Sequence, residues 1–403
     1  DNFWQDAANV RGVWRHTTIE SYRSGAPTWQ TVLDIDALSK AENANWIFKG
    51  SDCVGPAETR CLVSLSDGGK DAVVVREFDT TTKSFVPGGF NIPEGKHRID
   101  WLDADTLLVA TDFGPGTLTE SGYPFIVKTL KRGQTMAQAT EVYRGSATDG
   151  GYGVSPTVYR DGAGNVLAVI ITRPLDTFRS ETWELADGKA SKLFLPERVS
   201  VRGTLKANVL GDVRIVLTIE EPWKLHDKDY AAGSLLAIPR DTLRLSDDLA
   251  LPKGSVAVFE PTARTSVDSV SVFDNVIVAE VYDNVRGRAV VYSDNVEFGG
   301  WTPTALPVPE NAAVHLGSSS RSKQQLFYTY EGFLTPSTLA LADVAAAKAD
   351  VIRAAPARFD ASTHIVEQHE ATSKDGTKIP YFVVRPKGAP NPATPTMMFG
   401  YGG

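Results

Sequence analysis

Gly400-Tyr401-Gly402-Gly403 is the stretch whose residue types and spacing point most directly to chemistry. Glycines let a backbone come close to a reacting carbonyl. A tyrosine hydroxyl beside them can donate a hydrogen bond to the negative oxygen that develops during acyl transfer. Glycine-rich strand ends are common, so what precedes these residues decides their meaning. No G-x-S-x-G turn is present: Gly233-Ser234 leads to Leu-Leu-Ala, and Gly317-Ser318-Ser319-Ser320 leads to Arg321. There is no H-E-x-x-H, no phosphate loop and no G-x-G-x-x-G after a strand. The histidines (16, 97, 226, 315, 364 and 369) are scattered. His364 and His369 lie in one strand-like run at an odd spacing, which puts them on opposite faces, so no metal site is expected. Asp34-Ile35-Asp36 and Asp103-Ala104-Asp105 read as Asx turns between strands. The eight tryptophans read as packing within and between sheets. Arg11, Arg15 and Arg23 read as solvated or paired, with no anion site among them.

The elements that must position Tyr401 belong to a chain of 403 residues, long for one small domain. With 42% hydrophobic and 22% charged residues, the composition excludes a disordered, collagen-like or coiled-coil chain. The longest apolar run, Val166 to Ile171, is six residues, against about 20 for a membrane helix. The 41 basic and 49 acidic residues leave a net charge of −8, which repels phosphate backbones and argues against nucleic-acid binding. Cys53 and Cys61 flank Val54-Gly55-Pro56-Ala57 and allow two readings: a hairpin joining the sulfurs in an oxidising compartment, or two half-buried thiols. No Met opens the sequence and Asn2-Phe3-Trp4-Gln5 is already strand-like, so the chain reads as a processed or excised piece.

Short β-rich runs bounded by Gly, Pro, Asp and Asn dominate the sequence. Examples are Arg60–Leu65, Ala72–Phe78, Thr106–Thr111, Val166–Thr172, Arg214–Ile219 and Val276–Tyr282. Only Asp36–Asn45 and Leu339–Ala354 look helical. Clusters of strand-like runs begin near Asp1, Trp46, His97, Val154, Ser200, Val256 and Ala312, a spacing near that of four-stranded propeller blades. An all-β, seven-bladed β-propeller over residues 1–355 is therefore expected, with a large sandwich or two all-β domains as the rival.

After Ala355 the texture changes. His364–Lys374, Asp375-Gly376 and Ile379–Arg385 read as a hairpin. Prolines at 386, 390, 392 and 395 form a connector, and Thr396–Phe399 reads as a buried strand running into the glycines. Ser373–Pro380, Pro395–Gly403, Phe333–Thr338 and Tyr230–Leu235 resemble motifs of the prolyl oligopeptidase family of serine peptidases. Val10–Arg15 and Ser121–Pro124 look like its bacterial members.

The resemblance implies a propeller placed over the active site of an α/β-hydrolase domain. Residues 356–403 would then be the linker and the truncated first strands of that domain. It implies hydrolysis of short peptides after proline by a serine that histidine activates, with the nucleophile, the aspartate and the histidine all downstream of Gly403. Tyr401 would serve the oxyanion hole, with Gly402 and Gly403 in the loop beside it. The segment alone would be inactive. No metal or organic cofactor is implied. The partners would be peptide substrates and the remainder of the hydrolase domain, in a monomer. Compartment stays open. The rival is a stand-alone propeller that binds a protein or peptide without catalysis, and residues 357–403 speak against it.

Overall fold

The computed structural model describes residues 1–207, 211–225, 228–244, 256–295, 300–388 and 393–400. Tyr401, Gly402, Gly403, Pro390, Pro392 and His226 lie outside these residues.

Seven consecutive antiparallel sheets account for most of the chain. Blade 1 has three strands, Asn2–Trp4, Val13–His16 and Gln30–Asp34. The first strands of blades 2 to 7 are Trp46–Cys53, Arg98–Asp103, Ser155–Arg160, Val199–Lys206, Thr265–Val272 and Ala312–Ser320. Each is followed by strands paired in sequence order, four per blade except blade 2, whose third strand also pairs with Asn91–Gly95. The second strands are the most apolar runs of the sequence. Thr106–Ala110, Val213–Ile219 and Val276–Asp283 are almost wholly buried because both of their faces pack on neighbouring blades.

Six apolar clusters weld the ring, each joining two consecutive blades. Trp14, Leu65 and Phe78 belong to the cluster between blades 1 and 2, and Tyr328 and Ala342 to the one between blades 6 and 7. No such cluster joins blades 7 and 1 among the described residues. That seam is held by Arg23 and Asp350 at 3.3 Å and by Arg353. The Arg353 guanidinium donates to the Tyr22 carbonyl at 3.0 Å and lies 4.4 Å over the Tyr22 ring. A cavity of about 710 Å³ opens there, lined by Asp1, His16, Gln30, Glu58, Ser320 and Lys323 among others.

Three expectations need correction. Leu339–Ala354 is two strands, Thr338–Asp343 and Lys348–Ala354, and no helix. Its alanines carry helix propensity, but burying Ala340, Leu341 and Ala342 in the blade outweighs it, and Asp343 caps the tight turn through Ala346 N–H at 3.1 Å. Blade 6 starts at Thr265, not near Val256, because Ala257–Phe259 is the last strand of blade 5. The blade 6 strand is polar and bulged between Val267 and Val270, which hides its periodicity. Thr396–Phe399 forms no strand, and Met397, Met398 and Phe399 are 93%, 94% and 88% exposed. A strand is buried only between neighbours, and no described strand lies beside this run.

Other expectations hold, except the Asx turn at Asp34-Ile35-Asp36. Residues 35–42 form a helix capped by Asp34, whose carboxylate accepts Ala37 N–H at 2.9 Å. Asp34 is thus a cap and Asp36 accepts Arg11 N–H, so this pair makes no strand-to-strand Asx turn, whereas Asp103 does, through Asp105 N–H at 2.8 Å. Trp14 and Trp101 are buried, and of the eight tryptophans Trp4 alone is largely exposed. Arg15 lies between Trp4 and Trp29, and Arg11 contacts Asn45 and the Trp46 carbonyl. Cys53 and Cys61, directly opposed across the hairpin, are joined in a disulfide.

Candidate functional site

The first strands surround the axis. Trp101 Nε1 donates to the Asp52 carbonyl at 3.1 Å and Val158 N–H to Asp100 Oδ2 at 2.7 Å, which stitches blades 2, 3 and 4 together at their inner edge. Two ends of the resulting channel are built differently.

One end carries a hairpin, His364–Thr372 and Lys378–Pro386, paired around Asp375-Gly376. Gly376 takes a positive φ of 89°, which a turn there requires and which explains the Asp-Gly signal. The hairpin packs on blades 6 and 7 through the connections that precede first strands or join second to third strands. Arg264 pairs with Glu370, and Gln368 donates to the Asn284 carbonyl at 2.6 Å. Asn311 contacts the Val366 carbonyl, and Phe333 lies 5.4 Å from Phe382. Arg385 grips Glu367 in a bidentate pair with both contacts at 2.7 Å. His369 lies 5.6 Å from the Tyr381 ring and His364 beside Thr363.

The opposite end is crossed by the turn between the first two strands of blade 4, Asp161 to Asn165. Asp161 folds it by accepting the N–H groups of Ala163 and Asn165 at 3.1 and 2.8 Å. Gly162 N–H then reaches Asp274 Oδ1 of blade 6 at 2.8 Å. Arg321 of blade 7 donates to the same oxygen at 2.7 Å and to the Thr204 carbonyl of blade 5 at 2.6 Å. A Cβ on Gly162 would sit 2.8 Å from Asp274 Oδ2, and one on Gly164 would sit 2.7 Å from Pro56 of blade 2. A turn of blade 4 that touches blades 2, 6 and 7 can only lie across the axis. It plugs this mouth, and glycine is required where it passes its neighbours.

Between the two ends, blades 2 to 5 leave two adjoining hollows that share Arg98 and Thr157. The first, about 410 Å³, is lined by Asp52, His97, Arg98, Asp100 and Ser155 among others. Burial pushes the Asp100 carboxyl up to about 6, Asp52 adds repulsion, and Val158 N–H and Arg160 oppose the shift. Burial also raises Asp52, against the pull of Arg160. The second, about 640 Å³, is lined by Tyr152, Tyr159, Phe178, Arg179 and Glu220 among others. Tyr152 and Phe178 are 65% and 72% exposed. This wall offers carboxylates, guanidiniums and aromatic faces, groups suited to holding a peptide. His97 contacts Thr111 at 2.7 Å, but its other nitrogen is held by the Val73 and Pro93 carbonyls. Burial lowers its basicity, so the pair reads as structural.

Sequence reasoning brought none of Asp52, Asp100, Asp274 and Arg321 forward. Arg321 was visible only as the residue that broke a nucleophile pattern, and Asp161-Gly162-Ala163-Gly164-Asn165 was not singled out. Their meaning comes from the ring closure, which sets residues 112 positions apart in contact.

Comparison with known proteins adds an independent line. Residues 1–355 match the model of the prolyl oligopeptidase N-terminal beta-propeller domain. The whole chain is 40% identical to an uncharacterized peptidase of Sinorhizobium fredii and spans 54% of it. It is 30% identical to an uncharacterized peptidase of Rickettsia prowazekii, of which it spans 56%. The chain thus spans about half the length of these curated relatives. Among solved structures, a post-proline cleaving enzyme from Rickettsia typhi superposes with a TM-score of 0.82 at 28% identity, over 96% of this chain and 56% of that one. Prolyl oligopeptidase B from Galerina marginata superposes at 0.67 with 17% identity, over 96% of this chain and 54% of that one, and shares the fold.

Proposed function

Because the chain belongs to the prolyl oligopeptidase family, as its N-terminal propeller, we propose that it is the gating part of a serine peptidase that hydrolyses short peptides after proline. Residues 356–403 then form the linker and first strands of an α/β-hydrolase domain. Tyr401 donates its hydroxyl to the tetrahedral oxyanion, and Gly402 and Gly403 shape the loop beside it. The partners are peptide substrates and the rest of that domain, within a monomer. Post-proline cleavage is carried over from the Rickettsia typhi enzyme.

The observation that carries the gating role is the asymmetry of the channel. The mouth away from the hairpin is blocked by the 161–165 turn, while the hairpin stands at the other. A peptide held by Asp52, Asp100, Arg98 and Tyr152 would meet the catalytic side and not run through the ring. A folded protein would be kept from that side by the ring itself.

The test is hydrolysis by the complete protein that contains this chain. A chromogenic peptide with proline before the reporter group should be cleaved, and a folded protein should not. Tyr401→Phe should lower turnover roughly 10²–10³-fold, the usual cost of one oxyanion donor. Unchanged turnover would remove the role given to Tyr401, and no peptide hydrolysis at all would favour a binding propeller without catalysis.

A further inference from the structure

The second hollow opens on the hairpin side. The loop before the first strand of blade 4 places Tyr152 at its rim, and the loop between the second and third strands of that blade places Asp176 and Phe178 there. Its wall is built on three consecutive first strands, with Arg98 on blade 3, Thr157 and Tyr159 on blade 4, and Ser200 on blade 5. Arg202 follows on the blade 5 strand.

The charges around this hollow are unevenly matched. The rim carboxylates have partners. Asp176 pairs with Arg179 at 2.8 Å, Arg179 also reaches Glu197 at 3.3 Å, and Glu220 lies 4.0 Å from Arg198. The arginines of the first strands are different. Arg98 donates to the His97 carbonyl at 3.1 Å and Arg202 to the Thr218 hydroxyl at 3.0 Å, and neither makes an ion pair among the described residues. Each keeps the rest of its N–H fork unspent. Tyr159 stands on the blade between them. Burial pushes its phenol up to about 12, the Asp100 charge adds to the shift and Arg202 opposes it, so the group stays a hydrogen-bond donor. No described residue accepts from it.

A guanidinium without a counter-charge and a phenol without an acceptor, both partly out of water, suit a planar anion. The adjoining hollow has the opposite character. Asp52 and Asp100 line it, repel each other and make no ion pair among the described residues, so an anion drawn to Arg98 is turned away from that side.

We propose that the second hollow is a subsite for the free C-terminal carboxylate of a short peptide, with Arg98 and the Tyr159 hydroxyl as its contacts and Arg202 as a supporting charge. The C-terminus is the anion that every unmodified short peptide carries, and it stands at the end of a chain, where a hollow can close round it. Tyr152 and Phe178, exposed at the rim, would face the residues that precede it. A folded protein presents its carboxylates on a surface too broad to enter. The assignment rests on the peptide-holding role given to the channel above, and not on cleavage itself.

The test is binding of a proline-free hexapeptide with a neutral fluorophore at its N-terminus by the complete protein that contains this chain. Fluorescence anisotropy at neutral pH compares the free acid with the C-terminal amide. The acid should bind roughly tenfold more tightly, the scale of one charge-assisted pair. Arg98→Gln should bring the acid to the level of the amide, and Arg98→Lys should keep part of the difference. A variant that fails to fold would also lose binding, so Asp100→Asn supplies the opposite sign: with a nearby negative charge gone, the gap between acid and amide should widen. Equal affinity for acid and amide in the wild-type protein overturns the proposal. So does a gap that survives Arg98→Gln. An amidated peptide with an internal glutamate that binds as tightly as the acid also overturns it, because the hollow would then read any carboxylate. Hydrolysis is scored separately. A preference for the acid in a protein that cleaves no peptide after proline would support the subsite and remove the peptidase reading.

Discussion

Oδ1 of Asp274 is shared by Arg321 Nε at 2.7 Å and Gly162 N–H at 2.8 Å, so one carboxylate oxygen ties together blades 6, 7 and 4. Three non-adjacent stretches of sequence meet at this atom, and the turn that closes one end of the channel hangs from it.

Asp274→Ala should therefore loosen the plug before it loosens the ring. The Arg321 contacts to Thr204 and Phe273 remain, so the blades stay joined. Hydrogen exchange at Gly162 to Asn165 should rise at least tenfold, while the second strands of blades 5 and 6 stay protected. The stability cost should be about 1–2 kcal/mol, because the carboxylate is partly exposed and water offsets part of its loss. Exchange at 162–165 that stays at the wild-type rate would show that Asp274 does not hold the turn.

Glu77 should matter more to stability. Its side chain is fully buried, accepts Phe90 N–H at 2.9 Å, and pairs with Arg132 at 2.7 Å and Arg60 at 3.3 Å. Arg132 in turn is driven above its ordinary range by this carboxylate. Glu77→Gln keeps the volume and an acceptor but takes from Arg132 and Arg60 their buried counter-charge, leaving them Asp105 and Asp79 nearer the surface. We expect a loss of about 3 kcal/mol in chemical denaturation, against less than 1 kcal/mol for the exposed Asp350→Asn at the seam. Equal losses for the two would contradict the weight given to burial.

Asp100 gives the channel wall a pH dependence. Its carboxyl is raised by burial to about 6, above its unfolded value, so the folded state holds the proton more tightly. The sign follows directly. This contribution to stability is complete below about pH 4, falls as pH rises toward 6, and stays lost above it. Asp100→Asn keeps an oxygen for Val158 N–H and removes the charge that Asp52 repels. The variant should match the wild type at pH 4 and exceed it by about 1–3 kcal/mol at pH 7.5. Parallel curves across pH 4–7.5 would mean that Asp100 titrates as an ordinary surface carboxyl.

The seven-bladed ring was legible because its second strands are runs such as Val213–Ile219, whose apolar character survives in any context that buries both faces. Asp375-Gly376 announced its hairpin for a local reason, the left-handed turn. What could not be read depends on neighbours distant in sequence. Ala340 and Ala342 look helical until Tyr328 packs beside them, and Thr265–Val272 is too polar and too bulged to mark the start of its blade. Asp274 and Arg321 carry no local signature at all. The cysteine pair lay between these extremes: its spacing allowed a bond, and only the register decided it.

That register yields a final expectation. Cys53 and Cys61 stand directly opposite each other at the end of the first hairpin of blade 2, and Cys61 is buried against the cluster that contains Trp14 and Phe78. The bond closes a loop with a sequence separation of 8, short enough that its effect on the unfolded chain is modest, roughly 2–3 kcal/mol. The same hairpin turn, through Pro56 and Glu58, touches both the seam cavity and Gly164 of the plug. Losing the bond should therefore be felt beyond blade 2. Reduction with dithiothreitol should lower the melting temperature by roughly 3–5 °C and speed exchange at Gly164 and Asn165. The double variant Cys53→Ala/Cys61→Ala should melt near the reduced protein and ignore the reductant. If dithiothreitol leaves the wild-type transition in place although thiol titration shows both sulfurs free, the hairpin is held by its strand pairing and the core behind Cys61, and the bond contributes nothing to the ring.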